Sequence, residues 1–351
     1  MNSFGRYFRV SVFGESHGVA VGAVLDGVPA GIPLAEADFM EDIDRRRSGA
    51  RGTTPRRESD TPEILSGVYN GYTTGAPLTV IFRNGNTHSS DYELFKAMPR
   101  PGHADHVASI KWNGYNDPRG GGHFSGRLTL PIVAAGVVAK KVLACKSDVT
   151  VKASLAELGG VCCRVGPGAV PDGASRTPED IVASLPQAAR EAMDKAILEG
   201  DSLGGVAECV VDGLPAGLGE PFFDSVESLI SHAIFAVPGV RGIEFGDGFM
   251  ASRMKGSEHN DPIGTDGRPL KNGAGGVNGG ITNGAPVVFR VALKPTSSIR
   301  KTQRTADLSN GCMADLSAPG RHDACFALRA PVVIESMAAI ALADLYIFEG
   351  S

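Results

Sequence analysis

Short valine-rich runs along the chain predict β-strands that end in glycine turns. Strands of this kind favour branched apolar residues and stop at Asp, Asn or Gly. The last run alternates strongly, with Val287, Phe289, Val291 and Leu293 on one face, as in a strand that is buried on one side only. The predicted strands cover residues 8–13, 19–28, 78–82 and 286–293.

Apolar residues at helical spacing predict helices between these strands. Phe39, Met40 and Ile43 mark one helix, and Pro33 is expected at its start. The segment 177–180, Thr-Pro-Glu-Asp, resembles a capped helix start, and Pro186 should divide that region into two helices. Two long apolar helices, each with a proline in its first turn, are predicted over residues 131–143 and 331–347.

An eight-residue motif occurs twice in the chain. Val-Leu-Asp-Gly-Val-Pro-Ala-Gly at 24–31 returns as Val-Val-Asp-Gly-Leu-Pro-Ala-Gly at 210–217. In both places a predicted strand precedes it, and a predicted helix follows at 35–46 or 222–236. We interpret the repeat as two related halves within a single domain that spans 1–351, with coincidence of common turn chemistry as the alternative.

The composition is that of an ordinary globular protein, except for its glycines. The chain has 46 glycines in 351 residues, well above the usual share of roughly 7%. A net charge of −5 gives no general reason to bind nucleic acid. There is no apolar stretch of 18 residues, which predicts no membrane span, and the N-terminus lacks a signal peptide pattern. Because the six cysteines form no C-x-x-C pair, we expect reduced thiols and a cytoplasmic protein.

Three segments place an ionisable side chain beside glycine. They contain His17 within 14–18, His103 within 100–105 and Asp323 within 320–323. Glycine allows a ligand to approach the backbone closely, and the ordinary pKa of histidine lies near neutrality. These segments predict one composite active site, with His17, His103 and Asp323 as its candidate catalytic residues.

Three short motifs have competing interpretations, which their context disfavours. Residues 14–18 fit the G-x-S-x-G nucleophile elbow, but a strand rather than a helix is expected to follow. Residues 246–251 fit a dinucleotide fingerprint, with Asp266 twenty residues on, but the required helix is missing. His103 and His106 have helical spacing for a metal, but no third ligand has a recognisable spacing.

The densest cluster of charge is a run of arginines that is interleaved with glycine and threonine. Arginines in such a loop can converge, and the guanidinium group binds phosphate and carboxylate through two hydrogen bonds. This pattern favours a small polyanionic ligand over a solvated face or a nucleic acid, since no aromatic residues are interleaved for base stacking. The arginines are Arg45, Arg46, Arg47, Arg51, Arg56 and Arg57.

Two glycine-rich loops offer further groups for an anionic ligand. Backbone amides in residues 119–127, directly before the helix at 131–143, could hold an anion. Residues 273–280 lead through a strand to residues 294–298, Lys-Pro-Thr-Ser-Ser, which supply a cation and hydroxyls. A flavin phosphate and ring would suit these parts, although composition alone does not indicate a flavin.

Ten segments in order resemble the chorismate synthase family over nearly the whole chain. Singly they are weak, but together and in order they are highly specific. They are residues 13–18, 25–34, 42–47, 63–68, 73–78, 100–105, 119–122, 239–249, 294–299 and 320–323.

The resemblance implies a fold and an activity. The expected fold is a mixed α/β (α+β) sandwich, with helices packed between two antiparallel sheets, assembled as a homotetramer. The expected reaction is a 1,4-anti elimination of phosphate from 5-enolpyruvylshikimate 3-phosphate, which gives chorismate in aromatic amino acid biosynthesis. Reduced FMN is required without net redox change. The sequence leaves open whether the chain reduces its own FMN with NADPH or depends on an external reductant.

The resemblance also implies roles for individual residues. His17 is similar to the histidine that protonates the leaving phosphate, and His103 matches the one that protonates reduced flavin near N1. Asp323 matches the carboxylate that assists removal of the C6 proton through flavin N5. Positions similar to the FMN contacts are His123, Phe124, Ser125, Pro238, Gly239, Gly279, Lys294, Pro295, Thr296, Ser297, Ser298 and Arg321. Positions similar to the substrate or NADP phosphate contacts are Arg46, Arg51 and Arg127.

The chain departs from the family pattern in one FMN-contact segment. His123, Phe124 and Leu128 stand where arginine, serine and glutamate are common, which puts side-chain contacts there in doubt. Two other functions are therefore kept as alternatives. A flavin reductase would consume NADPH without elimination, and a polyanion-binding protein would bind the substrate without turnover.

Overall fold

The computed structural model describes residues 1–55, 58–85, 94–146, 148–164, 177–318, 320 and 322–349. Arg56 and Arg57 of the arginine cluster lie outside this part of the chain, and so does Arg321. The strands of the first half are β1 (Ser3–Phe4), β2 (Arg9–Gly14), β3 (Ala20–Asp26), β4 (Glu63–Ser66), β5 (Val68–Tyr69), β6 (Tyr72–Thr73) and β7 (Leu78–Arg83). Those of the second half are β8 (Thr150–Leu158), β9 (Val161–Cys162), β10 (Gly205–Asp212), β11 (Val240–Phe245), β12 (Val277–Asn278), β13 (Ile281–Thr282), β14 (Val287–Leu293), β15 (Gln303–Asp307) and β16 (Cys312–Leu316).

Helices alternate with these strands. The α-helices are α1 (Met40–Arg46), α2 (Leu94–Ala97), α3 (Asp105–Lys111), α4 (Thr129–Ala144), α5 (Pro178–Ser184), α6 (Gln187–Glu199), α7 (Val226–Ile234), α8 (Gly256–His259) and α9 (Pro331–Glu349). Short 3₁₀ segments lie at Glu36–Phe39, Arg119–Phe124, Gly126–Leu128, Phe222–Asp224, Gly248–Arg253 and Phe326–Arg329, and the second of these is interrupted by non-helical glycines.

Two five-stranded antiparallel sheets form the outer layers of the molecule. The first has the order β1-β2-β3-β7-β4 and the second the order β11-β14-β10-β8-β9. The predicted strands at 8–13, 19–28, 78–82 and 286–293 correspond to β2, β3, β7 and β14, which confirms those predictions. Val287, Phe289, Val291 and Leu293 are all buried, as their alternation predicts.

The two sheets repeat each other, which confirms the two related halves. The repeated motif begins in the last three residues of the central strand of each sheet, β3 or β10, and turns through a left-handed glycine, Gly27 or Gly213, with φ of 79° or 81°. A threonine then closes the turn in the same way in both halves. Thr73 Oγ1 donates to the carbonyl of Pro29 (2.6 Å), and Thr282 Oγ1 donates to that of Pro215 (2.7 Å).

The long helices α4 and α9 fill the space between the sheets. Helix α4 packs on β3 and β7, helix α9 packs on β8 and β10, and the two helices contact each other along their length. They cross where Gly136 faces Ser336, because a Cβ at Gly136 would lie 2.3 Å from the Cβ of Ser336. Nearly every residue of α4 is buried, so neither helix needs a polar face over most of its length.

The predicted helices are confirmed, with one boundary corrected. Leu185 and Pro186 separate α5 from α6, and Thr177 caps α5 through Asp180, as the sequence predicts. Pro33, however, does not begin the first helix. It forms an isolated bridge with Tyr72, and helical residues start at Glu36, because the chain at Pro33 is still paired in an extended conformation.

Candidate active site

Residues 119–127 form the centre of the candidate site. Gly120, Gly121 and Gly122 have positive φ angles of 62°, 80° and 53°. Residues other than glycine rarely adopt positive φ, least of all three in a row. This glycine segment precedes α4 directly. His17, His103, Arg46 and Arg329 contact it, so it joins parts of the chain that are far apart in sequence.

His17 lies against the first glycine of this segment. The turn between β2 and β3 carries Ser16 and His17, and both side chains are buried. A Cβ at Gly120 would lie 2.5 Å from Cδ2 and 2.6 Å from Nε2 of His17, so only glycine leaves room for the ring. Ser16 donates its N–H to the carbonyl of Gly122 (3.1 Å), which fixes the turn against the glycine segment.

His103 lies against the next glycine. A Cβ at Gly121 would lie 3.6 Å from Nε2 and 3.7 Å from Cε1 of His103. The same Cβ would lie 3.9 Å from the Cβ of Ser125. The ring is held from its other side, since Nδ1 is 2.7 Å from Oδ1 of Asp105 and 3.1 Å from Nη2 of Arg100. Two adjacent glycines therefore each face one of the two candidate histidines.

Residues 294–298 are fastened to the loop that carries His103. Lys294 Nζ and Ser297 Oγ both donate to the carbonyl of Gly102, at 2.5 and 2.8 Å. Arg100 Nη1 donates to Ser298 Oγ (2.8 Å). Lys294 in turn donates its N–H to the carbonyl of Gly239 (2.9 Å), so Gly239 belongs to the same cluster. Burial, and then the charge of Arg241, lower the pKa of Lys294.

A buried group of charges lies at the other end of the glycine segment. Arg46 Nη2 donates to the carbonyl of Gly126 (3.0 Å) and Nε donates to Thr129 (2.9 Å). Asp60 accepts hydrogen bonds from both Arg46 and Arg127. Burial would raise the pKa of Asp60, but the two guanidinium groups outweigh it and lower that pKa.

Asp323 completes this group from the second half of the molecule. Its Oδ1 accepts from the N–H of Thr54 (2.8 Å), and its Oδ2 accepts from Nη2 of Arg329 (2.6 Å). The same Arg329 nitrogen would be 3.7 Å from a Cβ at Gly126, so Asp323 and the glycine segment meet through Arg329. Asp323 also lines a pocket together with Ser298.

The charges around this end of the site favour an anionic ligand. Three guanidinium groups (Arg46, Arg127 and Arg329) face two carboxylates (Asp60 and Asp323), which leaves one positive charge in excess. Burial, followed by the charge of Arg329, lowers the pKa of Arg46. The segments before α4 and α9 meet here, so the N-terminal dipoles of both helices add to the attraction for anions.

Several predicted site residues lie apart from these contacts. Arg51 is exposed and pairs with Asp194 of α6 (2.7 Å). His123 bonds the carbonyl of Gly14 and the side chain of Asn2, at 3.2 and 3.0 Å, while Phe124 packs against Trp112. Gly279 is at the tip of the β12–β13 hairpin, with nothing within 4 Å of a Cβ there.

The arginines of residues 45–51 do not converge on one ligand. Arg45 pairs with Asp42 and Glu335, Arg46 with Asp60, and Arg47 with Asp44. Only Arg46 of the described arginines in this cluster reaches the glycine segment.

The competing motifs gain no support from the structure. Residues 14–18 form a turn between antiparallel strands, and a 3₁₀ turn rather than a long helix follows Gly246. Within the described ranges, no group of three or more His, Cys, Asp or Glu side chains could hold a metal ion. No helix in this part of the chain is long and apolar enough to cross a membrane.

Four residues of the site were not found from the sequence. Asp60 and Arg329 hold the catalytic and anion-binding candidates, and Asn84 accepts from Arg127 while donating to the turn at Glu15 and Gly18. Ser16 Oγ is buried without a hydrogen-bond partner among the described residues. Ser16 stands beside His17 in the motif, which was a usable signal, but the others are identified only by contacts across the fold.

Comparison with known proteins defines the class to which this fold and site belong. The family model described as chorismate synthase matches residues 8–347. The chorismate synthase of Chitinophaga pinensis is 56% identical over 99% of this chain and 97% of its own length. That of Korarchaeum cryptofilum is 49% identical over 97% of this chain and 96% of its own. A crystal structure of chorismate synthase superposes with a TM-score of 0.73 at 30% identity, covering 99% of this chain and 93% of that one.

The fold and the matches are those of a family of carbon–oxygen lyases. The chain belongs to the chorismate synthase family, and the predicted resemblance is confirmed.

Proposed function

We propose that this enzyme eliminates phosphate from 5-enolpyruvylshikimate 3-phosphate in a 1,4-anti sense to give chorismate, with reduced FMN and without net redox change. The observation that carries the proposal is the glycine segment 119–127. It contacts the buried His17 and the half-buried His103 at one end, and Arg46, Arg127 and Arg329 with the carboxylate of Asp323 at the other, directly before α4. A substrate with one phosphate and two carboxylates needs such a set of cations.

The position of each candidate residue supports a separate role in the reaction. His17 would protonate the departing phosphate, because its ring is held rigidly against Gly120. Arg46 and Arg127 would bind anionic groups of the substrate, and Nη2 of Arg127 is buried without a partner among the described residues. Asp323 would assist removal of the C6 proton. Arg329 and Thr54 hold its carboxylate in one orientation.

The residues present fit a bound flavin phosphate. Thr296 Oγ1 is buried with no partner in the described part of the chain, and Lys294, Ser297 and Ser298 stand beside it. These groups would hold the phosphate of FMN. Reduced FMN, when bound, supplies electron density to the reaction. His103 would exchange a proton at its Nε2, which faces Gly121.

The proposal extends to the assembly and setting of the enzyme. We place it as a single domain over 1–351, in a homotetramer, in the cytoplasm, and in the biosynthesis of aromatic amino acids. Large exposed apolar side chains support self-association. Phe222, Phe223 and Phe249 are 86%, 92% and 79% exposed. NADPH would be an indirect source of electrons for FMN.

The proposal is tested by anaerobic turnover. The protein is incubated with FMN, dithionite and 5-enolpyruvylshikimate 3-phosphate, and chorismate and phosphate are measured together. Equal release of both, abolished when FMN or dithionite is omitted, is the expected result. NADPH oxidation without chorismate would favour the flavin reductase, and binding of both ligands without product would favour the polyanion-binding protein.

Histidine variants test the assigned roles. His17→Gln and His103→Gln should each lower kcat by about 10-fold or more, the usual contribution of a positioned acid or base. His106→Gln is the matched control, because His106 is an exposed histidine on the same helix as Asp105. Wild-type turnover in both of the first two variants would disprove the assignment.

A further inference from the structure

Asp105 is held in a fixed orientation beside His103. Its Oδ2 accepts from the backbone N–H (3.1 Å) and Nε (2.8 Å) of Arg100, and its Oδ1 accepts from Nη2 of Arg100 (2.7 Å). Arg100 is in turn fixed by Ser298 and by the ring of Phe95, 4.3 Å from its Cζ. The carboxylate therefore cannot rotate without breaking several charge-assisted bonds.

The Nδ1 atom of His103 faces one hydrogen-bond acceptor and one hydrogen-bond donor. Asp105 Oδ1, at 2.7 Å, can only accept a hydrogen bond when ionised, whereas Arg100 Nη2, at 3.1 Å, can only donate one. A neutral ring satisfies one of them, depending on which nitrogen carries the proton. Arg100 Nη2 already donates to Asp105 at 2.7 Å, so the shorter contact to the carboxylate decides the outcome.

We propose that Asp105 is a positioning residue that keeps the proton of neutral His103 on Nδ1, so that Nε2 presents a lone pair to the ligand side at Gly121. Its consequence for turnover rests on the proposed function, whereas the position of the proton does not. The resting ring is then an acceptor toward the ligand, and it donates from Nε2 only after taking up a second proton.

The charges around the ring agree with a neutral resting state. Burial is the main cause that lowers the pKa of His103, with Arg100 and Lys294 acting in the same direction and Asp105 opposing them. Burial would raise the pKa of Asp105, but hydrogen bonds from Arg100 and His103 outweigh it and lower that pKa well below the ordinary value. Gly121 and Ser125, the neighbours from the glycine segment, carry no charge.

The position of the proton can be measured directly. Protein labelled with ¹³C,¹⁵N-histidine is studied by solid-state magic-angle-spinning NMR at neutral pH, and His103→Gln identifies the signals among the eight histidines. We expect a protonated Nδ1 and an unprotonated Nε2 in the wild type. A proton on Nε2 in the wild type would overturn the proposal without any variant of Asp105.

Removal of the Asp105 carboxylate provides the second test of the proton position. In Asp105→Ala, Arg100 Nη2 is the group left at Nδ1, so the proton should move to Nε2. Asp315→Ala is the control, because Asp315 is 70% exposed and lies 3.7 Å from Arg304. It should leave the His103 signals unchanged. An unchanged proton position in folded Asp105→Ala would contradict the role.

Kinetics separate this role from a structural one. Asp105→Ala should lower kcat by about 10-fold or more with a nearly unchanged KM. Because Asp105 raises the pKa of His103, the acid limb of the pH–rate profile should also move to lower pH. A loss of activity with an unmoved profile would mean that Asp105 is structural. If the wild type makes no chorismate, the proposed function fails, and the NMR result still decides the proton position.

Discussion

At the residue scale, the site depends on positions where no side chain can be added. Gly120 has φ of 62°, and a Cβ there would lie within 2.7 Å of both His17 and Ser16 Oγ. Gly120→Ala should displace the His17 ring. We expect kcat to fall by about 10-fold or more, because the proposed acid would lose its position. Steady-state turnover measures this effect.

Gly114→Ala is the matched control for that variant. Gly114 has φ of 79°, but nothing lies within 4 Å of a Cβ there. The backbone strain is therefore similar in the two variants, and only the contacts with His17 and Ser16 differ. Equal losses of activity would mean that strain, rather than the position of His17, limits turnover.

An Asp323→Asn variant tests whether turnover needs the carboxylate of Asp323, apart from the hydrogen bonds that it makes within the protein. In Asp323→Asn the amide oxygen can still accept from the N–H of Thr54, so we expect a folded protein. Turnover should nevertheless fall by about 10-fold or more, because the proposed base is lost. Circular dichroism melting and kcat are measured together, with Asp315→Asn as the exposed control. A collapse of the melting transition in Asp323→Asn would show a structural role instead.

The sequence predicted some of these residues and not others for a physical reason. His17 and His103 could be found because a glycine-flanked histidine is a local pattern. Asp60 and Arg329 could not be found in this way. Their contacts with Arg127 and Asp323 depend on the folded structure, and no local sequence pattern indicates these two pairs. The ion-pair partners of the arginine run were not predictable for the same reason, since Arg51 contacts Asp194 of α6, far away in sequence.

At the element scale, the crossing of α4 and α9 sets the distance between the two halves. Both helices were predicted from their apolar runs, but their meeting point was not, because apolar positions cover the whole helix surface and mark no face.

The internal repeat is longer than the eight-residue motif by which it was recognised. Thr-Thr-Gly-Ala-Pro at 73–77 returns as Thr-Asn-Gly-Ala-Pro at 282–286, with its threonines in equivalent turns.

The crossing makes a prediction about stability. In Gly136→Ala the new Cβ would lie 2.3 Å from the Cβ of Ser336, so the helices must separate or shift. Overpacking of this kind should cost about 1–3 kcal/mol in the free energy of unfolding. Urea denaturation at fixed protein concentration measures the change. Gly256→Ala in α8 meets nothing within 4 Å and should be neutral or slightly stabilising. A neutral Gly136→Ala would show that the crossing is loosely packed.

At the scale of the whole molecule, a buried ionic group ties three helices to the second sheet. Asp42 and Arg45 of α1, Lys140 of α4 and Glu335 of α9 form ion pairs, with nitrogen–oxygen distances of 2.5–2.9 Å. Glu335 also accepts from the N–H of Ala153 in β8 (2.7 Å). Two positive and two negative charges balance here, so the group can be buried between the layers only while all four members are ionised.

This balance predicts how stability depends on pH. Burial would raise the pKa of Asp42, but Lys140 and Arg45 outweigh it and lower that pKa below the unfolded value. The stability that Asp42 contributes is therefore fully present above about pH 5 and is lost as the pH falls through the lowered pKa. Asp42→Asn should cost about 3 kcal/mol at pH 7, because it leaves buried cations unpaired.

Urea denaturation at a series of pH values from 7 to about 3 tests this dependence. The difference in unfolding free energy between the wild type and Asp42→Asn should be largest at pH 7 and should narrow toward the acid end, because unfolding of the wild type is then coupled to proton uptake by Asp42. Asp315→Asn, at an exposed pair, should differ little from the wild type at any pH. A difference for Asp42→Asn that stays constant down to the acid end would show that Asp42 has the same pKa in the folded and unfolded chains.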